Sequence, residues 1–190
     1  MLEGGSMLKA YNVAQAASSG LMAARMAQAG FQGPRDVLDG ARGFLAMTSE
    51  SLNAAQLKAS EPHEKSVLEL IYVKPYAACR HCHSAIEAAL NLKQQHGLDI
   101  DQIQQIAVQT YRLAGPGHDH TEVDGITSAK MSTPYSIAVA LLDGRAGIAQ
   151  FEAGRIEDPE VHQLAARVNV SVSDDLDRLV TDKRAAEVEI

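Results

Sequence analysis

Apolar and polar positions alternate along three segments of the chain, and this period of two residues predicts β-strands. The alternating segments are 106–111, 168–172 and 186–190. A fourth run, residues 67–73, is apolar apart from Glu69 and rich in β-branched side chains, which is typical of a buried strand. Pro75 lacks a backbone donor, so we expect that strand to stop before it.

Small residues dominate positions 10–29, and this segment is predicted to form one helix that Gly30 ends. Because alanine, serine and glycine offer little side-chain bulk, such a helix gains stability only where neighbours pack closely against it. We expect residues 1–46 to be helical, 47–65 to be a linker, and 66–190 to be an α+β domain.

Three further helices begin at capping signals. Ser84 and Glu87 have the spacing of a capping box, and we expect their helix to run to Gly97. In the other two starts a capping side chain precedes a proline that suits the first helical position. These starts are Thr133-Pro134 and Asp158-Pro159.

Composition excludes some classes of protein. The 190 residues carry a net charge of −7, which argues against nucleic acid and anionic membranes as partners. No apolar run reaches transmembrane length, and the N-terminus lacks a signal-peptide pattern. Two cysteines three positions apart do not make a disulfide framework. We therefore expect a soluble, cytoplasmic protein.

The residues that carry chemistry concentrate in KPYAACRHCH, just before the helix at Ser84. The positively charged and titratable side chains in it are Lys74, Tyr76, Cys79, Arg80, His81, Cys82 and His83. Cations beside the positive end of a helix dipole favour an anion. The first interpretation of this segment is therefore an anion-binding site.

Two other interpretations remain open from the residues alone. Cys79 to His83 match C-x-x-C-H, the pattern of haem attachment, and also hold zinc-ligand side chains. Four ligands within five residues cannot all close one tetrahedron, and the added donors His118 and His120 are more typical of a solvated loop. The other of these two interpretations is purely structural: two surface cations flank two small buried thiols.

Three blocks of sequence carry a resemblance to a known family. KPYAACRHCHSAIEAA resembles the K-P-Y-x-x-C-R-x-x-H signature of the MmgE/PrpD family. LEGGSMLKAYNVAQAASSGLMAARMAQAGFQGP and KMSTPYSIAVALLDG resemble two further blocks of that family, in the same order. The family includes 2-methylcitrate dehydratases, cis-aconitate decarboxylases and iminodisuccinate epimerases. The resemblance implies that residues 1–46 end the family's helical domain. It also implies that residues 66–190 form its α+β domain, an antiparallel sheet with helices packed on one face.

The resemblance implies a lyase, or an isomerase, that acts on a small di- or tricarboxylate such as 2-methylcitrate or cis-aconitate. It implies a role like that of the dehydratases of propionate catabolism, and neither a cofactor nor a metal. It assigns catalytic positions to Lys74, His83 and Tyr135, and substrate-binding positions to Lys9, Arg80 and Cys79. The sequence departs from the family at residues 10–12, where Ala-Tyr-Asn replaces the usual Arg-x-His.

The resemblance also implies that further acid–base residues lie in a helical region N-terminal to this chain. A second hypothesis is therefore a truncated, non-catalytic copy, or one half of a split enzyme. Such a chain would pair with itself, as a dimer, or with a complementary helical subunit. A metal-binding module at residues 79–83 is the third hypothesis.

Overall fold

The computed structural model describes residues 7–50, 69, 71–181 and 183–190. The chain forms two compact units, Met1–Ala10 with Lys74–Ile190, and Tyr11–Val73. The helices are α1 (Leu8–Gln28), α2 (Phe44–Thr48), α3 (His83–His96), α4 (Ile126–Met131), α5 (Thr133–Asp143), α6 (Ala153–Ile156), α7 (Pro159–Ala165) and α8 (Asp174–Arg178). The strands are β1 (Ile106–Thr110), β2 (Val168–Val172) and β3 (Ala186–Glu189). Short 3₁₀ helices are Arg80–Cys82, Ile100–Gln102, Arg112–Ala114 and Ile148–Phe151.

The unit of Tyr11–Val73 contains most of α1, which confirms the predicted small-residue helix. Gly30 follows it with a φ of 90°, in the left-handed region that ends helices. None of the α1 residues is buried. No helix in the described ranges is both long enough and apolar enough to cross a membrane.

The strand predicted at 67–73 is wrong where the structure describes it. Residues 71–73 are irregular, and Val73 is 91% exposed. Residues 67, 68 and 70 of that prediction lie outside the described residues. β-branched side chains favour a strand only where a sheet edge and a packed face are available, and here the side chains of 71–73 face solvent.

The three alternating segments form one sheet in the order β2–β1–β3, which confirms all three predicted strands. β1 pairs antiparallel with β3, with Val108 opposite Val188. It pairs parallel with β2, with Ile106 opposite Val168. The α+β class is confirmed, and the sheet is mixed rather than antiparallel. Helices α4 to α7 lie between β1 and β2 in sequence, and such a long crossover permits parallel pairing.

The core lies between this sheet and the helices α3 and α5. Helix α3 contacts both α5 and β3, while α5 contacts β2 and α7. Strand β1 alternates buried and more exposed positions, so one of its faces supplies the sheet side of the core. Fully buried core residues include Ile86, Ala89, Ile106, Val108, Ile137, Leu141 and Phe151.

Helices α3 and α5 begin where predicted, but their first turns use other hydrogen bonds than the sequence predicts. Helix α3 begins at His83, so Ser84 lies inside its first turn, and the Ser84 hydroxyl donates to the carbonyl of Arg184. The predicted capping box is therefore wrong, although the helix and its left-handed end at Gly97 are confirmed. The helix predicted to start at Thr133-Pro134 is confirmed, but the predicted cap at Thr133 is wrong by one residue. Helix α5 begins at Thr133 and is capped by Ser132, whose Oγ accepts from the Tyr135 amide at 3.0 Å.

Candidate functional site: a cationic turn before helix α3

A turn held by main-chain hydrogen bonds presents the K-P-Y-x-x-C-R segment. The Ala77 amide donates to the carbonyl of Ala146 at 3.0 Å, and the Cys79 amide donates to the carbonyl of Lys130 at 2.7 Å. The 3₁₀ helix Arg80–Cys82 then leads directly into α3. These bonds fix the turn against the end of α4 and the loop that follows α5.

A cavity of about 450 Å³ opens beside the turn. Its lining residues are Lys74, Pro75, Tyr76, Ala77, Ala78, Lys130, Gly147 and Ile148. Two lysines therefore border one cavity. The sequence reasoning missed Lys130, although it lies in the KMSTPY block that carried part of the resemblance.

His83 lies behind the cavity lining rather than on it. Its side chain is buried, and Nε2–H donates to the Ala78 carbonyl at 3.2 Å. Because a carbonyl only accepts, Nε2 carries the proton and Nδ1 is the basic nitrogen. The ring packs edge-on against Tyr76, with centroids 5.3 Å apart, and Tyr76 does line the cavity. Burial, assisted by the positive charges of Arg80 and Lys74, lowers the pKa of His83.

Cys79 forms a pair with His118. The Cys79 Sγ lies 3.4 Å from Nε2 of His118, whose side chain is buried, whereas Cys79 is partly exposed. Burial raises the pKa of the Cys79 thiol, but hydrogen bonds from His118 and the His81 main chain and the charges of His118 and Lys9 outweigh it, so the pKa is lowered.

His81 joins the same cluster. Its Nδ1 lies 2.6 Å from the hydroxyl of buried Tyr111, and its ring centroid lies 5.1 Å from that of His118. Burial and the nearby positive charges of His118, Arg184, Arg80 and Lys74 lower the pKa of His81 to about 4. At neutral pH the ring is uncharged, and its Nδ1 shares one hydrogen bond with the Tyr111 hydroxyl. We call Cys79, His81, Tyr111 and His118 the thiol cluster.

The prediction of a solvated loop for His118 is wrong. Gly117 has a φ of 83°, and the Thr133 amide donates to the His118 carbonyl at 2.8 Å. This turn carries the His118 ring into the protein. Nothing in the alternation of polar residues predicts it, although the G-P-G before His118 signals a tight turn.

The described residues offer no donor set for a metal ion. His120 donates through Nε2 to the Ser128 carbonyl at 3.2 Å, a different partner from that of His118. Cys82 is fully buried, with its Sγ 3.4 Å from the Thr133 hydroxyl, and burial raises its pKa to about 12. Across the described ranges, no three His, Cys, Asp or Glu side chains converge closely enough to hold a metal.

The remaining predicted site residues take separate positions. Tyr135 is fully buried, donates its hydroxyl to the Gln150 carbonyl at 2.7 Å and packs on Phe151, so this hydroxyl lies in the core rather than in a cleft. Arg80 is half-buried in the turn. Lys9 is exposed at the start of α1, and it belongs to the same compact unit as Cys79.

The sequence matches two family models over most of its length. Residues 2–56 match the MmgE/PrpD N-terminal domain, and residues 76–190 match the MmgE/PrpD C-terminal domain. The chain belongs to the MmgE/PrpD family. This confirms the resemblance of its three sequence blocks.

Two curated relatives of this MmgE/PrpD chain are similar over nearly all of it. Both are cis-aconitate decarboxylases, one from Aspergillus terreus and one from a named strain of the same species. Each is 29% identical over 92% of this chain. The chain spans 39% of the length of each relative. Relatives of this MmgE/PrpD chain therefore include decarboxylases, which are lyases.

Proposed function

We propose that this chain supplies the carboxylate-binding part of a lyase active site that acts on a small di- or tricarboxylate, of the 2-methylcitrate or cis-aconitate class. The observation that carries the proposal is the concentration of cations around one turn. Lys74 and Lys130 border the same cavity, and the charges of Lys74, Arg80 and Arg184 all act on His81. Membership of the MmgE/PrpD family supports it.

The chemistry requires cations at such a position. Loss of a proton or of carbon dioxide next to a carboxylate builds negative charge on the substrate, and preorganised positive groups stabilise that charge. Lys74 and Lys130 would bind the carboxylates in the cavity. Arg80 and Lys9 would add to the positive field from the turn and from α1, and Cys79 would border the bound acid.

His83 is the proposed proton carrier. The lowered pKa keeps the His83 imidazole neutral at pH 7, so that it can act as a general base, and the hydrogen bond to Ala78 leaves Nδ1 as the basic nitrogen. Tyr76, which contacts both the cavity and the His83 ring, would connect the two. Tyr135 would act by holding α5 to Gln150, since its hydroxyl is already donated there.

Binding of an acid to charge variants tests the proposal. Lys74→Gln removes one positive charge from the cavity, and Arg178→Gln removes one from an exposed ion pair with Asp175 on α8. With cis-aconitate and 2-methylcitrate as titrants in calorimetry, we expect Lys74→Gln to weaken binding by about tenfold or more, the scale of a hydrogen bond to a charged group. Arg178→Gln should bind like the wild type.

Equal affinity of the two variants would contradict the assignment of the cavity. Binding of neither acid by the wild type would contradict the substrate class. Binding, rather than turnover, is the measurement because it reports on the cavity directly. Lys130→Gln gives an independent second measurement at the same cavity.

The second candidate is a subunit that is active only with a partner, either a second copy or a complementary helical chain. The observation that favours it is α1, a helix of 21 residues without a buried side chain. If the partner is a second copy, light scattering after size-exclusion chromatography should show a dimer. If the partner is a complementary helical chain, turnover of cis-aconitate should require its addition. A monodisperse monomer that turns over the acid would exclude this candidate.

A further inference from the structure

The two cysteines of the chain lie three positions apart in very different surroundings. Cys79 is partly exposed and faces His118, whereas Cys82 is fully buried in the core beside Thr133. Burial without an imidazole partner favours the neutral thiol of Cys82. Free cysteines differ in reactivity chiefly through the fraction present as thiolate.

The contacts of His118 indicate which of its ring nitrogens carries the hydrogen. The ring is buried, and Nδ1 is a buried polar atom without a hydrogen-bond partner among the described residues. A buried N–H without an acceptor costs more free energy than a buried lone pair without a donor, and such N–H groups are rare in proteins. The proton therefore belongs on Nε2, where it is donated to the Cys79 sulfur 3.4 Å away.

A donor on Nε2 makes the thiolate the favoured partner. The sulfur of an anionic Cys79 accepts this hydrogen bond well, while a neutral thiol accepts it only weakly. Several charged and titratable groups surround the pair. They are His81, Tyr111 and Cys82 beside Cys79, Lys74, Arg80 and Arg184 around the turn, Lys9 on α1, and Asp119, which accepts from the Gly117 amide in the His118 loop.

We propose that Cys79 and His118 form an activated thiol site at which Cys79 is modified by small anionic disulfides. The thiolate of Cys79 attacks one sulfur of the disulfide, so that a new S–S bond joins the two. The bond within the disulfide breaks, and its other half leaves as a thiolate that takes a proton from water. The disulfide is the only oxidant that the exchange needs. Cations around the turn favour a disulfide with carboxylates.

Differential alkylation of the folded protein tests the activation of Cys79. Iodoacetamide labels exposed thiolates from pH 6 to 9.5, and a second alkylating reagent labels the remaining thiols after denaturation. Trypsin cleaves after Arg80, so Cys79 and Cys82 fall in separate peptides that mass spectrometry quantifies. We expect a pH midpoint for Cys79 below the value of about 8.5 of a free cysteine, and no labelling of Cys82 before denaturation.

Two histidine variants test whether His118 causes the low pH midpoint of Cys79. His118→Phe keeps an aromatic ring at this position and removes the hydrogen bond, so we expect the Cys79 midpoint to rise and its rate at pH 7 to fall about tenfold. His120→Gln breaks the bond to Ser128 in the same loop and should leave the midpoint unchanged. Continued protection of Cys82 shows that each variant is folded. An unchanged midpoint in folded His118→Phe, or a wild-type midpoint at or above 8.5, would overturn the proposal.

Three disulfides test the preference for anions. The probes are oxidised glutathione, which is anionic, bis(2-hydroxyethyl) disulfide, which is neutral, and cystamine, which is cationic. Relative to a free cysteine peptide, Cys79 should favour oxidised glutathione over cystamine. A preference for cystamine, or equal rates for all three, would refute the assigned disulfide class.

Discussion

Helices α1 and α5 are both built largely from small and aliphatic residues, yet they have opposite surroundings. In α5, all nine residues from Thr133 to Leu141 are buried between the sheet, α3 and α7. In α1, none of the 21 residues is buried. Leu141 is 0% exposed, whereas Leu21 is 57% exposed.

The difference shows that composition does not decide where a helix gains its stability. Helix α5 gains it from burial of apolar surface, which contributes about 25 cal/mol for each Å² removed from water. Helix α1 depends more on its intrinsic propensity and local contacts, since none of its residues is buried. Substitutions in the two helices should therefore have very different effects.

The largest difference is expected for matched leucines. Leu141→Ala leaves a cavity in the core and should lower the free energy of unfolding by about 2–5 kcal/mol. Leu21→Ala should change it by less than about 0.5 kcal/mol. Urea unfolding followed by circular dichroism measures both. A cost of several kcal/mol for Leu21→Ala would show that α1 is packed in solution.

Matched tyrosines sharpen the comparison. Tyr135→Phe deletes the hydroxyl that donates to Gln150 and leaves this buried carbonyl unpaired, so a loss of about 1–3 kcal/mol is expected. Tyr11→Phe in α1 alters an exposed side chain and should cost less than about 0.5 kcal/mol. If Tyr135→Phe is as stable as the wild type, the hydrogen bond to Gln150 contributes little, and the Tyr135 hydroxyl is available for substrate binding.

Acid should destabilise the unit that contains α5 through its histidines with lowered pKa values. The pKa of His81 is about 4 in the folded chain, against 6.5 for an ordinary histidine, and that of His83 is also lowered. Between these values the unfolded chain binds protons that the folded chain does not, so stability falls as pH falls from about 7 towards 4.

The size of this effect is modest because His81 is partly exposed and solvent screens its charge. Helix α1 contains no histidine, aspartate or glutamate and should contribute no slope. Urea midpoints at pH 7, 6 and 5 measure how the stability depends on pH. His81→Asn should show a weaker dependence on pH, and an identical slope would contradict the role of His81.

The smallest effect is expected in α1 itself. A Cβ added at Gly20 meets no atom within 4 Å, so Gly20→Ala should stabilise the helix by about 1 kcal/mol. Circular dichroism should show higher helicity or a higher melting temperature. If a partner packs closely on the small residues of α1, the same substitution would instead weaken association in light scattering.

Local signals were the ones that sequence reasoning could use. A capping side chain precedes α5 and α7, and a proline lies in the first turn of each helix. Gly97 and Gly144 adopt the left-handed conformation that ends α3 and α5. The period of two in β1, β2 and β3 is also local. These features depend on neighbours in sequence, so the elements and the α+β class were predictable.

Features that depend on distant residues were not. The parallel pairing of β1 with β2 depends on a crossover of four helices, which periodicity does not report. The burial of His118 depends on the turn at Gly117 and on its contact with Cys79, which is 39 positions earlier. Lys130 reaches the cavity because α4 packs beside the turn, and the segment around it predicts only a helix.

The central position of β1 has a consequence for how the protein is made. Ile106 pairs with Val168 and Thr110 pairs with Ala186, so both neighbours of β1 leave the ribosome long after β1 does. During synthesis the two edges of β1 have no native partner, and loop closure over such distances slows folding. Transient binding of the apolar 106–110 segment by chaperones is therefore expected until β3 has emerged.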